Sequence, residues 1–205
     1  MTLASATSGP VLWYITRATG VTALVLLTIV MALGVANVRR LRTKRIPRFV
    51  IDAVHRNAAL LAVSFVAMHI VTTIADSYVN ISPLAVLLPF ASAYKPLWIG
   101  LGALSLDLLG AVIITSLLRR RLGHRLWRTT HWLAYASWPV AFFHSLGAGT
   151  DAGSRWMLAV AAACTLVVLG AVAVRVSAGY GDAKPQVPAP RPGRATRISP
   201  SWSSR

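Results

Sequence analysis

The sequence FVIDAVHRNAALLAVSFVAMHIVTTIA at residues 49–75 gives the clearest indication of the fold of this chain. The stretch is largely apolar and exceeds the roughly 20 residues that an α-helix needs to cross a bilayer. His55 and His69 stand 14 residues apart within it. At about 100° per residue, this spacing places the two side chains within about 40° of one helix face and about 21 Å apart along the axis. We therefore expect a transmembrane helix that carries two histidines on one face, about four turns apart.

Four other stretches are long and apolar enough to span a membrane, and they cover residues 11–38, 95–118, 126–148 and 154–176. The chain of 205 residues is 56% hydrophobic and 13% charged, whereas soluble domains are about 25% charged. These features predict an all-α integral membrane bundle of about five transmembrane helices. We expect a short extracytoplasmic N-terminus at residues 1–10 and a transmembrane domain at residues 11–176. Residues 177–205, rich in Pro, Gly, Ser and Arg, predict a disordered cytoplasmic tail.

The positive charge lies in clusters between the apolar stretches. The net charge is +16, and basic residues crowd residues 39–48 and 119–128 and recur towards the C-terminus. This is the positive-inside pattern of membrane proteins and not a continuous basic surface, so we expect membrane lipid and no nucleic acid as a partner. With an odd number of spans the N-terminus lies outside and the C-terminus inside, in a multi-pass protein of the plasma (inner) membrane.

The predicted outer loop after residue 75 contains an apolar stretch between two prolines, which reads PLAVLLPF at residues 83–90. It is too short to cross the membrane. We expect a re-entrant or interfacial segment that covers the outer end of the bundle.

A second pair of histidines lies in the predicted fourth span, where His131 and His144 are 13 residues or about 20 Å apart. Both histidine-bearing spans follow a basic loop, so they run in the same direction and bring His55 level with His131 and His69 level with His144. Two facing imidazoles at one depth are the axial ligands of a six-coordinate haem iron. The four histidines therefore predict two haem b groups. They would be held by coordination alone, because the chain has no C-x-x-C-H motif.

One feature of the second pair does not follow from ideal helix geometry. Thirteen residues turn about 220° past three full turns, so His131 and His144 would face apart. Pro139 lies between them, and proline kinks a helix by removing a backbone hydrogen bond. Either this distortion turns His144 back towards the haem, or the kink is incidental.

Three charged side chains are further candidates. Arg17, near the outer end of the first span, either binds a propionate of the outer haem or extends to the outer interface. Arg128, one turn before His131, either binds an inner-haem propionate or belongs only to the basic cytoplasmic surface. Asp107, in the middle of the third span, either serves proton uptake or a hydrogen bond to a ligand histidine, or is a protonated acid bonded to a neighbouring helix.

The chain resembles the ferric-reductase-like transmembrane domain superfamily, which includes the membrane parts of NADPH oxidases and metalloreductases and the bacterial haem-binding partner of the methionine sulfoxide reductase system. The resemblance covers about residues 10–176. It is carried by the histidine gaps of 14 and 13 and by the sequences HRN at 55–57, MH at 68–69, WRTTHW at 127–132 and FFH at 142–144.

This resemblance implies electron transfer across the membrane, with His55 and His131 binding one haem and His69 and His144 the other. Larger members append a flavin- and nicotinamide-binding domain after the last helix, whereas this chain carries a short tail there. We therefore expect a separate cytoplasmic reductase or a quinol as electron donor, and an extracytoplasmic electron acceptor.

The predicted function is thus the membrane component of a ferric-reductase-like oxidoreductase. Two other classes stay open. A non-enzymatic haem-binding membrane sensor or assembly factor would share the ligands without turnover. A small proton-coupled transporter would use Asp107 and the histidines as a proton path, and it would be colourless when purified.

Overall fold

Helices are the only regular elements in the part of the chain that the structure describes. This computed structural model describes residues 9–38, 47–76, 79 and 81–181. The helices are, in chain order, α1 (Gly9–Val38), α2 (Arg48–Ala75), α3 (Pro83–Leu87), α4 (Pro96–Leu117), α5 (Arg119–His131), α6 (Leu133–Ala148) and α7 (Arg155–Gly181). The prediction of an all-α chain is confirmed.

Parts of three predicted segments lie outside the described residues. They are the extracytoplasmic start at residues 1–8, the basic cluster at residues 39–46 and the tail at residues 182–205. The first residues assigned to the tail, 177–181, continue α7. Which end of the bundle faces the cytoplasm stays a prediction, and "outer" and "inner" follow that prediction below.

Four of the described helices, α1, α2, α4 and α7, are long and apolar enough to cross a membrane by length and composition. They coincide with four of the five predicted spans. Large apolar side chains on their outward faces are exposed, with Leu117 at 78% and Leu166 at 70% of their full accessible area. Such a surface suits lipid, because lipid tails are as apolar as these side chains.

The predicted span at residues 126–148 is not one regular α-helix. The chain interrupts the α-helix at Trp132, so that α5 ends at His131 and α6 begins at Leu133. The α6 helix alone has 16 residues, fewer than the roughly 20 of a typical span. The predicted fourth span is therefore divided between the end of α5 and all of α6.

The interruption has a local cause in the hydrogen bonding around Trp132. The Trp132 N–H donates to Thr129 O at 3.2 Å and the Tyr135 N–H donates to Trp132 O at 3.0 Å, both three residues back instead of four. The hydroxyl groups of Thr129 and Thr130 donate to carbonyls of the preceding turn. Such back-bonding competes with the regular ladder and bends helices. Pro139 lies inside α6, which continues through it.

The helices form two packed groups, one around α1 and one around α4, which are joined through α6. The α1 helix packs against α2, α6 and α7, and α4 packs against α3, α5 and α6. Leu24, Trp138, Cys164 and Val168 form a buried cluster where α1, α6 and α7 meet. Because α2 packs mainly on α1 and α6 mainly on α4, a space remains between α2 and α6.

The apolar outer segment forms a short helix on the start of α4. Ser82 caps α3 by accepting a hydrogen bond from the Ala85 N–H at 3.3 Å, and Ala85 is buried. Further along, Lys95 Nζ donates to Gly147 O at 3.2 Å and to Ala148 O at 3.3 Å. A cation suits these carbonyls, because they end α6 without helical partners. The outer segment is thereby tied to the end of α6.

The basic segment between α4 and α6 is helical but turns a corner. Gly123 has a φ of 77° within α5, a conformation that glycine adopts without steric cost. Its arginines are all exposed, namely Arg119, Arg120, Arg121, Arg125 and Arg128. The α5 helix thus joins a strongly basic surface to His131.

Candidate functional site

The rings of His69 on α2 and His144 on α6 lie close together, edge to face, in the space between the two helices. Their centroids are 6.2 Å apart and their planes meet at 77°. A metal ion bound by two imidazole nitrogens at about 2 Å, with each ring centre about 1 Å behind its nitrogen, would hold the ring centres about 6 Å apart. The separation of these two rings, the outer pair, is therefore right for one metal ion between them.

Both rings of the outer pair are oriented by carbonyl oxygens of neighbouring helices. Nδ1 of His69 lies 2.8 Å from Thr16 O on α1, and Nδ1 of His144 lies 2.7 Å from Trp98 O on α4. A carbonyl oxygen can only accept, so each Nδ1 carries the proton and donates it. The other ring nitrogen, Nε2, is then free to bind a metal ion through its lone pair.

We call His55 on α2 and His131 at the end of α5 the inner pair, and their pairing stays a prediction. Nδ1 of His55 lies 3.1 Å from Val30 O on α1. Nδ1 of His131 is buried and finds no hydrogen-bond partner among the described residues. The inner pair therefore has one oriented ring, whereas the outer pair has two.

Each oriented histidine of the outer pair also packs against a glycine, one turn beyond the carbonyl that it binds. A Cβ atom at Gly20 would lie 3.0 Å from His69 Cε1, and one at Gly102 would lie 2.6 Å from His144 Cε1. Both glycines stand four residues after the residue whose carbonyl accepts the hydrogen bond, Thr16 and Trp98 respectively. The missing side chain thus lets each ring reach the backbone of the next helix.

The same arrangement recurs at His55, where a Cβ atom at Gly34 would lie 3.5 Å from Cε1 of the ring. Sequence reasoning missed these glycines, although a signal exists. Gly20 and Gly34 are 14 residues apart, the same spacing as His55 and His69 on the adjacent helix. Two helices that pack side by side can therefore repeat one contact at two levels.

A cavity of about 270 Å³ opens beside the outer pair, between α1, α2, α4 and α6. Its walls include both outer-pair rings and apolar side chains such as Leu24 and Leu106, and Arg17 and Thr73 add polar groups. No group of three or more His, Cys, Asp or Glu side chains able to hold a metal ion occurs in the described ranges. Two close imidazoles beside a mainly apolar cavity with a few polar groups fit a haem that is bound through two axial ligands.

Arg17 lines this cavity and has protein partners at the outer end of the bundle. One of its guanidinium nitrogens lies 2.7 Å from Asp151 Oδ2, and another donates to Thr150 Oγ1 at 3.0 Å. Its guanidinium also lies 5.0 Å from the centroid of the Trp13 ring. The Asp151 partner was not predicted. A guanidinium group has five N–H donors, so a propionate contact by Arg17 stays a prediction.

The two other charged candidates lie on the surface. Arg128 is exposed on α5, one turn before His131, and its contact with a propionate stays a prediction. Asp107 is exposed on α4 and does not line the cavity. In the described part of the chain Asp107 has no hydrogen bond or ion pair. Neither the expected hydrogen bond to a ligand histidine nor the expected bond to a neighbouring helix is present among these residues.

The helices, the outer pair and the cavity define an all-helical membrane bundle with two close histidines beside a mainly apolar cavity. The model of the family described as "Ferric reductase like transmembrane component" matches residues 19–142. This is more than half of the chain, and the chain belongs to that family. It is therefore a multi-pass membrane protein and a membrane electron-transfer component of a family whose transmembrane domains commonly bind haem.

The matched range includes His55, His69 and His131 and ends two residues before His144. No curated protein and no solved structure matches the chain.

Proposed function

We propose that this chain moves electrons across the membrane by holding two b-type haems, one between His69 and His144 and one between His55 and His131. The observation that carries the proposal is the 6.2 Å separation of the outer-pair rings, each already turned by a hydrogen bond from Nδ1. Haem iron, when bound, supplies one-electron oxidation and reduction at each level.

The protein's part in this function is to bind and orient. The carbonyls of Thr16, Trp98 and Val30 fix the proton on Nδ1 of three histidines, which presents Nε2 to the metal and makes it a more basic ligand. The apolar walls of the cavity exclude water from the outer site. Arg17 would place a positive charge where a propionate needs one.

We propose that electrons enter at the inner pair, from the cytoplasmic side. The α5 helix ends at His131, and its arginines are exposed. A positive surface attracts an acidic donor protein and raises the rate of encounter. We therefore propose a separate cytoplasmic reductase as the donor, with a quinol as the alternative, and an electron acceptor beyond the outer pair.

Haem quantitation with reduced-minus-oxidised absorption spectra tests the ligand assignment. We expect two haems per chain in the wild type. The His69→Ala and His144→Ala variants should lose the same haem, and the double variant should lose no more than either single variant. His55→Ala and His131→Ala should lose the other haem. The exposed His124 on α5 is the control, because His124→Ala should keep both.

Full haem content in His69→Ala or His144→Ala would remove the outer site from the proposal. A colourless wild-type protein would favour the transporter class instead. To distinguish an electron carrier from a haem-binding sensor or assembly factor, a reductant is trapped inside vesicles that contain the protein. Reduction of an impermeant acceptor outside would support electron transfer, and its absence in haem-loaded vesicles would contradict it.

A further inference from the structure

Asp107 occupies an unusual place on the membrane-facing surface. It lies in the middle of α4 (Pro96–Leu117), a helix able to span the membrane, and its side chain is exposed. In the described part of the chain nothing binds its carboxyl group. A carboxyl group that faces hydrocarbon is costly without a hydrogen-bond partner, and such residues usually face protein or water-filled space. The surface around Asp107 therefore needs a partner.

The surroundings of Asp107 allow another helix to approach closely. Gly110 stands almost one turn further along α4, and a Cβ atom there would have nothing within 4 Å. Ile114, two turns beyond Asp107 on the same face, is 58% exposed. Small residues at such positions let two transmembrane helices come into backbone contact. We call Asp107, Gly110 and Ile114 the α4 face.

We propose that the α4 face binds the α4 face of a second copy of this chain, with the two Asp107 carboxyl groups paired across a two-fold axis. A neutral carboxyl group has one O–H donor and a carbonyl acceptor. Two such groups related by a two-fold axis each donate to the other, so both are satisfied. Closed two-fold dimers are also the commonest form of homo-oligomer.

A second copy fits this surface better than the alternatives do. A partner helix with a cationic side chain would bring a second costly group into the hydrocarbon, whereas two carboxyl groups satisfy each other without charge. By contrast, two hydroxyl groups on α2 are already bonded within their own helix. Ser64 donates to Leu60 O at 3.0 Å and Thr72 donates to Met68 O at 2.9 Å. Asp107 makes no such hydrogen bond within the described part of the chain.

Cross-linking in liposomes tests which face forms the contact. A cysteine at position 114 (Ile114→Cys) should form a disulfide-linked dimer under mild oxidation. Leu60→Cys is the matched control, because Leu60 is 62% exposed on α2, a different face of the bundle. The wild type, whose Cys164 is buried, should not cross-link. Equal cross-linking at positions 114 and 60 would overturn the proposal.

The dimer dissociation constant in the bilayer tests the role of the carboxyl group. Measured by energy transfer between labelled copies on dilution into lipid, it should rise about tenfold in Asp107→Leu, because two hydrogen bonds are lost. Asp107→Asn should stay near wild type, since an amide also donates and accepts. Gly110→Leu should weaken the dimer by blocking close approach. A monomeric wild type, or an unchanged dimer in Asp107→Leu, would overturn the proposal, and neither result depends on haem binding.

Discussion

Gly102 of α4 supports the ring of His144 on α6, because a Cβ atom at position 102 would lie 2.6 Å from Cε1 of that ring. No ordinary contact is so short, and the ring cannot retreat without lengthening its 2.7 Å hydrogen bond from Nδ1 to Trp98 O. The position of one proposed haem ligand thus depends on the absence of a single methyl group on the neighbouring helix.

Replacing Gly102 by Ala should therefore displace His144 and weaken the outer haem site. We expect the affinity of this site for haem to fall about 10- to 100-fold, as for loss of other groups that orient metal ligands. Titration of haem-depleted protein with haem, followed by absorption spectroscopy, measures the effect.

Gly110→Ala is the matched control on the same helix, because a Cβ atom at position 110 would have nothing within 4 Å. It should leave both haem affinities unchanged. If Gly102→Ala bound haem as Gly110→Ala does, the ring of His144 would not depend on the glycine.

The inner site should be the more open of the two to external ligands. Nδ1 of His131 has no acceptor among the described residues, so nothing there fixes its ring as the other three rings are fixed. Second-sphere hydrogen bonds of this kind are worth about 10- to 100-fold in metal affinity. We expect carbon monoxide to displace a ligand more readily at the inner haem than at the outer haem.

Two double variants isolate the sites for this measurement. His69→Ala/His144→Ala keeps only the inner pair, and His55→Ala/His131→Ala keeps only the outer pair. After reduction, the first should bind carbon monoxide at least about tenfold more tightly, by difference spectroscopy. Equal binding by the two proteins would show that the missing hydrogen bond has no consequence.

The closeness of His69 and His144 could be predicted from the sequence, because a helix has a fixed rise per residue. The positions of His55, His69, His131 and His144 then determine which rings share a level once the direction of each span is inferred from the basic loops. The interruption at Trp132 could not be predicted in this way. It arises from local competition between threonine hydroxyls and the helix ladder, which a hydrophobic pattern does not contain.

The contacts that surround the proposed haem ligands are harder to predict from the sequence than the histidines themselves. Glycine is common in transmembrane helices. The contacts of Gly20 and Gly102 with histidine rings can therefore be recognised only when the adjacent helix is known. The pairing of Arg17 with Asp151 joins residues far apart in the chain. The charge of Arg17 within a span predicts that it has a partner. Only the packing of the bundle identifies Asp151 as that partner.

The Arg17–Asp151 ion pair should stabilise the outer end of the bundle to a modest extent. Its side chains are 15% and 30% exposed, and partly exposed pairs contribute about 0.2–1 kcal/mol. Asp151→Asn and Arg17→Gln should each lower the free energy of unfolding in mixed micelles. In the double variant the loss should be smaller than the sum of the two single losses, because the second change removes a partner already lost. Strictly additive losses would contradict the pairing.

The buried hydrogen bond between Trp138 and Thr28 should contribute to stability at mid-bundle. Trp138 Nε1 donates to Thr28 Oγ1 at 2.9 Å, and that hydroxyl donates in turn to Leu24 O at 2.8 Å. Both side chains are buried, at 7% and 3% exposure. Hydrogen bonds between membrane helices are worth about 0.6 kcal/mol on average and up to about 1.7 kcal/mol. We expect a coupling energy in this range from a double-mutant cycle of Trp138→Phe and Thr28→Val.

The exposed Trp156 of α7 provides the control for loss of an indole. Trp156 is 48% exposed, so Trp156→Phe should change the free energy of unfolding by no more than about 0.5 kcal/mol. Trp138→Phe should lower the free energy of unfolding more, because it removes an N–H donor at a buried position, whereas Trp156 is exposed. If the two tryptophan variants lost the same stability, the hydrogen bond of Trp138 would make no contribution of its own. Packing of the indole ring would then account for the stability that Trp138 gives to the contact between α1 and α6.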